Sequence, residues 1–134
     1  EVTEPVSPEQ RQLLERYVAA FENYDTAALA KLFTADAVWE MPPFSGWFQT
    51  PDAIRRLVEH NCPAKAAGDM RMLPAAANGQ PAFGMYLRDD RGEHRAFQLH
   101  VVHLRGAAID HVAGFFDTSL FPAFGLPDVL RAAS

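Results

Sequence analysis

Tyr17 and His100 are the two residues of this chain whose side chains could act together in acid-base chemistry. Tyr17 stands in a stretch with helical apolar spacing and His100 in a β-prone stretch. A phenol and an imidazole act as general acid and base where the fold brings both to one ligand. Asp25 and Asp36 stand instead where a helix cap and a turn are expected, and Asp117 ends the last predicted strand. The sequence therefore predicts no pair of inward-facing carboxylates.

The histidines do not show the spacing of a metal site. His100 and His103 are three residues apart on one predicted strand, so their side chains point to opposite faces. The other three histidines have no partner spacing that suggests zinc. We predict no metal and no cofactor. Gln98 shares the face of His100, and these two side chains are candidates for the polar lining of a pocket. A buried histidine bonded to the backbone or to Gln98 is an equally favoured interpretation.

Cys62 is the only cysteine, which excludes a disulfide scaffold within the chain. It precedes Pro63 at a predicted helix end, with Lys65 nearby. A catalytic thiol needs a lowered pKa and an oriented base, and no sequence neighbour supplies either of them. We therefore interpret Cys62 as a small buried apolar residue.

Composition places the chain among ordinary globular proteins. It has 134 residues, 49% of them hydrophobic and 22% charged, and a formal net charge of -5. This length favours a single domain, which we assign to residues 7–134 behind a proline-bearing arm at 1–6. The acidic balance argues against direct nucleic-acid binding. Since no apolar run is long enough for a membrane span, we expect no membrane contact and a cytoplasmic location.

The helices are predicted from caps and apolar spacing. Ser7, Pro8 and Gln10 form a capping box with proline at the first helical position, which predicts a helix of about four turns. Asp25 caps a second, shorter helix in which apolar residues up to Phe33 face inward. The two helices form a hairpin. A third helix is predicted from Thr50 and Pro51 to residue 61.

The rest of the chain is predicted to be mainly β. A short first strand covers 37–41 and ends at two prolines, and four longer strands cover 70–77, 81–88, 94–105 and 109–116. Short turns between these four favour an antiparallel meander. The apolar, proline-broken tail at 120–127 is expected to cover part of the molecule. The fold class is therefore α+β: a cone-shaped α+β barrel in which a strongly curved, mostly antiparallel sheet wraps a helix.

A cone of this kind encloses a cavity, and aromatic and sulfur-containing side chains are concentrated at its predicted mouth. Such a lining is apolar and deformable, and it suits a flat hydrophobic molecule. The candidate ligand-binding residues are Tyr17, Trp39, Met41, Phe44, Trp47, Met72, Phe83, Gln98, His100 and Phe116.

Residues 13–42 contain, without a gap, Arg16-Tyr17-Val18, Asp25, Phe33, Asp36-Ala37 and Glu40-Met41-Pro42. With this pattern the segment resembles the opening of the ketosteroid isomerases and of the wider SnoaL-like, nuclear transport factor 2-like superfamily. Within it, the chain is most similar to the C-terminal SnoaL-like domain of bacterial extracytoplasmic-function sigma factors. The narrower resemblance is carried by Trp39-Glu40-Met41-Pro42-Pro43-Phe44, Cys62-Pro63, the segment 77–83, and Phe115-Phe116-Asp117 with the tail at 120–126.

The resemblance implies where catalytic groups would stand. Tyr17 falls at the tyrosine position of the isomerases, Met41 at the position of the base, and His100 at the third position. Because a thioether cannot accept a proton at neutral pH, the isomerase reaction is not expected. Glu40 alternates with its neighbours on the strand, so it should point away from the cone.

Three hypotheses follow. The first is a non-catalytic regulatory domain that contacts the sigma regions of the same polypeptide, and RNA polymerase through them, with a small hydrophobic ligand as a further partner. The second is a small enzyme, a polyketide cyclase, isomerase or hydrolase, using Tyr17 and His100. The third is a homodimer formed through the convex sheet face, where Phe97, Leu99 and Val101 are predicted to lie.

Overall fold

The computed structural model describes residues 7–44, 46–77 and 79–131, so the predicted arm at 1–6 and Asn78 of a predicted turn lie outside it. The helices are α1 (Pro8–Glu22), α2 (Thr26–Ala30), α3 (Pro51–Asn61) and α4 (Leu120–Ala123). The strands are β1 (Phe33–Glu40), β2 (Trp47–Gln49), β3 (Met70–Ala77), β4 (Gln80–Arg88), β5 (His94–Arg105), β6 (Ala108–Phe115) and β7 (Val129–Leu130).

The three predicted helix starts are confirmed by their caps. The Ser7 hydroxyl accepts from the backbone N–H of Gln10 at 3.1 Å, and the Gln10 side chain accepts from the Ser7 N–H at 3.2 Å. Asp25 accepts from the N–H of Ala28 at 3.0 Å, and Thr50 accepts from the N–H of Ala53 at 3.2 Å. Each cap satisfies an amide that the first helical turn leaves without an intrahelical partner.

The boundary between α2 and β1 differs from the prediction. The sequence placed Phe33 in the second helix and began the strand at residue 37, but α2 ends at Ala30 and β1 begins at Phe33. Phe33 is paired with Ile109 of β6, and the Ile109 N–H donates to the carbonyl of Leu32 at 2.9 Å. Pairing with a distant strand therefore overrides the local helical spacing.

One sheet has the order β2-β1-β6-β5-β4-β3, with β7 beside β5. The four strands β3 to β6 form the predicted antiparallel meander, whereas β1 lies parallel to β6. The curved sheet does not close, because β2 and β3 remain at its two edges. The short strands β2 and β7 were not predicted, and each is too short to carry a periodic pattern.

Both faces of the sheet carry buried residues. The inner face packs against α1, α2 and α3, and it includes Trp39, Met85 and Val102. The outer face is covered at one end by the C-terminal segment, where Phe121 and Leu126 pack on Tyr86 and Leu99. The prediction that this tail covers part of the molecule is therefore confirmed.

A β-bulge in β5 corrects one predicted side-chain direction. Ala96 is paired with Tyr86 and Gln98 with Met85, which leaves Phe97 as an extra residue between the two pairs. Because of the extra residue, Phe97 lines a cavity on the inner side instead of pointing outward with Leu99. The predicted convex patch of Phe97, Leu99 and Val101 is therefore wrong for Phe97, and Leu99 is fully buried.

Candidate functional site

An apolar cavity of about 240 Å³ lies between α3, the end of β1 and the inner face of the sheet. Phe44, at its lining, is 66% exposed, so this residue belongs both to the cavity and to the surface. The lining residues are Phe21, Trp39, Met41, Phe44, Leu57, Val58, Asn61, Cys62, Met85, Phe97, Gln98 and Phe116.

One wall of the cavity is a row of aromatic rings. Phe116 stands between Phe44 and Phe97, with ring centroids 5.7 Å and 5.5 Å away and nearly perpendicular planes. Edge-to-face packing of this kind is favourable beyond the burial of area alone. The flexible side chains of Met41 and Met85 complete a lining that adapts to the shape of an apolar guest.

A chain of buried hydrogen bonds leads from α1 to the cavity. The Tyr17 hydroxyl lies 2.8 Å from Nδ1 of His100, and Nε2 of His100 lies 2.7 Å from Oε1 of Gln98. Since an amide oxygen can only accept, Nε2 of His100 carries the hydrogen and Nδ1 accepts from Tyr17. The three residues therefore form a directed chain, Tyr17 to His100 to Gln98, and Gln98 is its member at the cavity.

Burial fixes the protonation of the first two members. Desolvation lowers the pKa of His100 to about 3 and raises the pKa of Tyr17 well above its ordinary value. At neutral pH the imidazole is therefore uncharged and the phenol keeps its proton. Both side chains are fully buried, and neither is among the residues that line the cavity. Their hydrogen-bonding groups face each other.

The structure brings five of the ten predicted ligand-binding residues together in the cavity lining: Trp39, Met41, Phe44, Gln98 and Phe116. Tyr17 and His100 are buried behind it. Met72 and Phe83 lie away from the cavity, where they border a surface groove beside α1. Trp47 is on the edge strand β2 and is 65% exposed.

Sequence reasoning missed the wall that α3 contributes. Leu57, Val58, Asn61 and Cys62 all line the cavity. Their spacing places them on one face of a helix, and this was the signal that could have found them. The Cys62 thiol is partly buried, and burial raises its pKa, so it stays protonated at neutral pH.

The polar groups of the outer sheet face form a separate cluster. Glu40 pairs with His111, which confirms that its side chain points away from the cavity, and His103 lies 2.6 Å from Asp110. A groove of about 620 Å³ borders both histidines. Within residues 7–44, 46–77 and 79–131, no group of three or more His, Cys, Asp or Glu side chains could hold a metal ion.

The fold is an open, curved sheet with helices on its inner face and an apolar cavity between the helices and the sheet, and the family of this chain is that of the SnoaL-like domain. The chain belongs to this family, because the family model of the SnoaL-like domain matches residues 14–114.

Two curated relatives are named ECF RNA polymerase sigma factor SigG, from Mycobacterium tuberculosis strains CDC 1551 and H37Rv. Each is 54% identical to this chain over 127 residues, which is 94% of the chain and 34% of the relative. The chain therefore spans about a third of the length of the curated relatives it matches.

Solved structures with the same fold are much more distant in sequence. An NTF-2 like protein of unknown function from Burkholderia xenovorans LB400 has a TM-score of 0.66 at 16% identity, over 81% of this chain and 82% of that one. A putative ketosteroid isomerase from Kribbella flavida has a TM-score of 0.59 at 15% identity, over 94% of this chain and 83% of that one. These similarities concern the fold alone. Among the described helices, none has the length and apolar character that crossing a membrane requires.

Proposed function

We propose that this chain is the SnoaL-like regulatory domain of an extracytoplasmic-function sigma factor in the cytoplasm. It adjusts transcription initiation by contacting the sigma regions of the same polypeptide, and a small apolar molecule in its cavity biases that contact. The observation that carries the proposal is the 54% identity to a sigma factor over 94% of the chain. The domain has no direct contact with nucleic acid in this scheme.

The cavity supports regulation in preference to acid-base catalysis. Among the described residues that line it, none is an aspartate, glutamate, lysine, arginine or histidine. Met41 lines the cavity and occupies the position that the isomerase resemblance assigns to the base. The alternative enzyme hypothesis needs Tyr17 and His100 to meet one ligand atom, but they are buried and hydrogen-bonded to each other.

The residues that we assign to the contact with the sigma regions are the exposed aromatic side chains Phe44, Trp47 and Phe48. These large apolar side chains are 66%, 65% and 38% exposed, and Trp47 and Phe48 belong to the edge strand β2. Large apolar side chains exposed in this way are typical of interaction sites, and all three stand within five positions of the chain. Phe44 also lines the cavity, so a bound molecule would touch a residue of the contact surface directly.

The net charge of the chain also agrees with a contact to the sigma regions. The net charge of the chain is -5, which favours association with basic sigma regions at long range. Because such steering is screened by salt, the proposed contact should weaken as ionic strength rises.

The test uses the full polypeptide that contains this chain, in transcription reactions with RNA polymerase core. We expect its coding sequence to include sigma regions, and we expect deletion of residues 7–134 to change promoter-specific transcription severalfold. Replacing Phe44, Trp47 and Phe48 together by serine should reproduce that change. A matched control replaces the exposed ion pair of Asp52 and Arg56 on α3 by alanines. Unchanged transcription after the deletion would remove the proposal.

The homodimer hypothesis stays a prediction. The outer face that it needs is partly covered by the C-terminal segment, because Leu99 is buried against Phe121. Sedimentation of the chain at micromolar concentration tests it, and a monomer there counts against it.

A further inference from the structure

We propose that the ligand of this cavity is a neutral apolar molecule with a hydrogen-bond acceptor, such as a ketone or another carbonyl oxygen, and that the amide nitrogen of Gln98 recognises the acceptor. This inference rests on the proposed function, since it names the chemical class of the ligand for the same cavity. It is carried by the position of one side chain, which is 3% exposed and lies at the cavity lining.

The two ends of the Gln98 amide have different roles. Its oxygen accepts from Nε2 of His100 at 2.7 Å. Its nitrogen has two hydrogens to donate, makes no hydrogen bond to another described residue, and is not fully enclosed by protein atoms. An acceptor on a bound molecule would therefore meet two donor hydrogens at the cavity, in surroundings that are largely shielded from water.

His100 and Tyr17 act as positioning residues that hold the amide in this orientation. If the Gln98 amide turned over, its nitrogen would meet the N–H of His100, and two donors would face each other. A change of imidazole tautomer would remove that conflict, but it would place an N–H against the Tyr17 hydroxyl. The hydroxyl hydrogen would then need another acceptor, and it has no second partner in the described part of the chain. The observed orientation is therefore the one in which both hydrogen bonds of the chain form.

Gly114 has no side chain, and this lets the Gln98 amide pack directly against β6. A Cβ atom added to Gly114 would lie 2.8 Å from Cδ of Gln98, 3.0 Å from its nitrogen and 3.1 Å from its oxygen. A side chain at this position would push the amide away from β6. The glycine on β6 and the imidazole on β5 therefore fix the amide from two directions.

The remaining lining determines the charge and size of the ligand. No described lining residue carries a charge at neutral pH, so a buried charge on the ligand would have no partner. Asn61, the other amide in the lining, is itself solvent-exposed. An apolar cavity of about 150 Å³ holds benzene, so the volume of about 240 Å³ suits a molecule of one ring or two fused rings.

The experiment compares three probes of similar size: 1-tetralone, which has a carbonyl, tetralin, which lacks it, and the 1-naphthoate anion. Dissociation constants for the full 134-residue chain come from ligand-observed NMR titration. One neutral hydrogen bond should make 1-tetralone bind about threefold to tenfold more tightly than tetralin. Gln98→Met keeps the length of the side chain and removes the amide, so 1-tetralone and tetralin should bind this variant with equal affinity.

A second measurement does not depend on the variant. In the wild-type chain, the side-chain N–H signals of Gln98 should shift with 1-tetralone and not with tetralin. Equal affinity for both uncharged probes would overturn the assignment of the acceptor and leave an apolar ligand in place. Tighter binding of 1-naphthoate would overturn the neutral class. If no probe binds, both this inference and the ligand part of the proposed function fail, while the sigma contact is judged separately by transcription.

Discussion

The hydroxyl of Tyr17 on α1 and Nδ1 of His100 on β5 are 2.8 Å apart, and neither side chain reaches solvent. The bond joins the first helix to the longest described strand across 83 positions of the chain. It lies in a cluster of rings, since Phe21 and Trp39 both stand edge-on to the imidazole. A polar contact in such surroundings is sensitive to the loss of either partner.

Replacement of Tyr17 by phenylalanine should therefore destabilise the fold. The variant keeps the ring and removes the donor, which leaves Nδ1 of His100 buried without a partner. We expect the free energy of unfolding to fall by about 1–3 kcal/mol in urea denaturation. Tyr24→Phe is the matched control, because Tyr24 is half-buried and its hydroxyl has no hydrogen bond among the described residues. Equal losses in the two variants would contradict the role assigned to the Tyr17 hydroxyl.

The buried imidazole should make stability depend on pH. The ordinary pKa of histidine is 6.5, and burial lowers that of His100 to about 3. Between these values the unfolded chain binds a proton that the folded chain does not, so stability falls as the pH is lowered. The loss should reach about 2 kcal/mol at pH 5, since each pH unit contributes about 1.4 kcal/mol.

Urea denaturation between pH 7 and pH 5 measures this dependence. His100→Gln removes this imidazole and keeps the other four histidines. The contribution of His100 is therefore the difference between the wild-type chain and the variant in the slope of the unfolding free energy against pH. If the variant and the wild-type chain lose stability equally on acidification, His100 does not titrate as described.

Gly84 should not tolerate a larger residue. A Cβ atom there would lie 2.8 Å from Cε2 of Phe121 and 2.9 Å from Cδ1 of Leu126. Gly84→Ala should therefore push the C-terminal segment from the outer face, at a cost of about 1–3 kcal/mol. Thermal unfolding and limited proteolysis of the segment at 120–131 measure the effect. A variant with unchanged stability and unchanged cleavage would show that the segment does not pack here as tightly as described.

Trp47 should contribute to the proposed contact with the sigma regions and contribute little to the stability of the fold. Its side chain is 65% exposed on β2, so Trp47→Ser should change the free energy of unfolding by less than about 0.5 kcal/mol. In the full polypeptide the same variant should alter promoter-specific transcription in the direction of the domain deletion. Gln49→Ala, also exposed on β2, is the control. Normal transcription by the Trp47 variant would place the sigma contact elsewhere.

Local signals predicted most of the fold. The caps at Ser7, Asp25 and Thr50 gave the helix starts, and the period of the later strands gave the meander, because both depend on residues close together in the chain. The start of β1 at Phe33 was missed, since it is determined by pairing with Ile109, which is distant in sequence.

The part of the candidate site that was predicted also depends on local patterns in the sequence. Trp39 and Met41 follow from alternation along the first strand, Gln98 follows from the face that it shares with His100 and that the family resemblance places on the concave side, and all three line the cavity. Trp47 was expected there too, but it lies on a three-residue edge strand with no pattern of its own. Met72 and Phe83 were assigned from residue type, and type alone does not tell which part of the core a buried apolar side chain joins.

The bulge at Phe97 allows the size of this cavity to change independently of the strand pairing around it. Phe97 has no partner on β4, so loss of its single codon would leave the neighbouring pairs, Ala96 with Tyr86 and Gln98 with Met85, in their present alignment. The pocket would lose one aromatic ring from its wall while the hydrogen-bonded ladder survived. Insertion or deletion of one residue at this position would therefore change the size of the cavity without altering the pairing of β4 with β5.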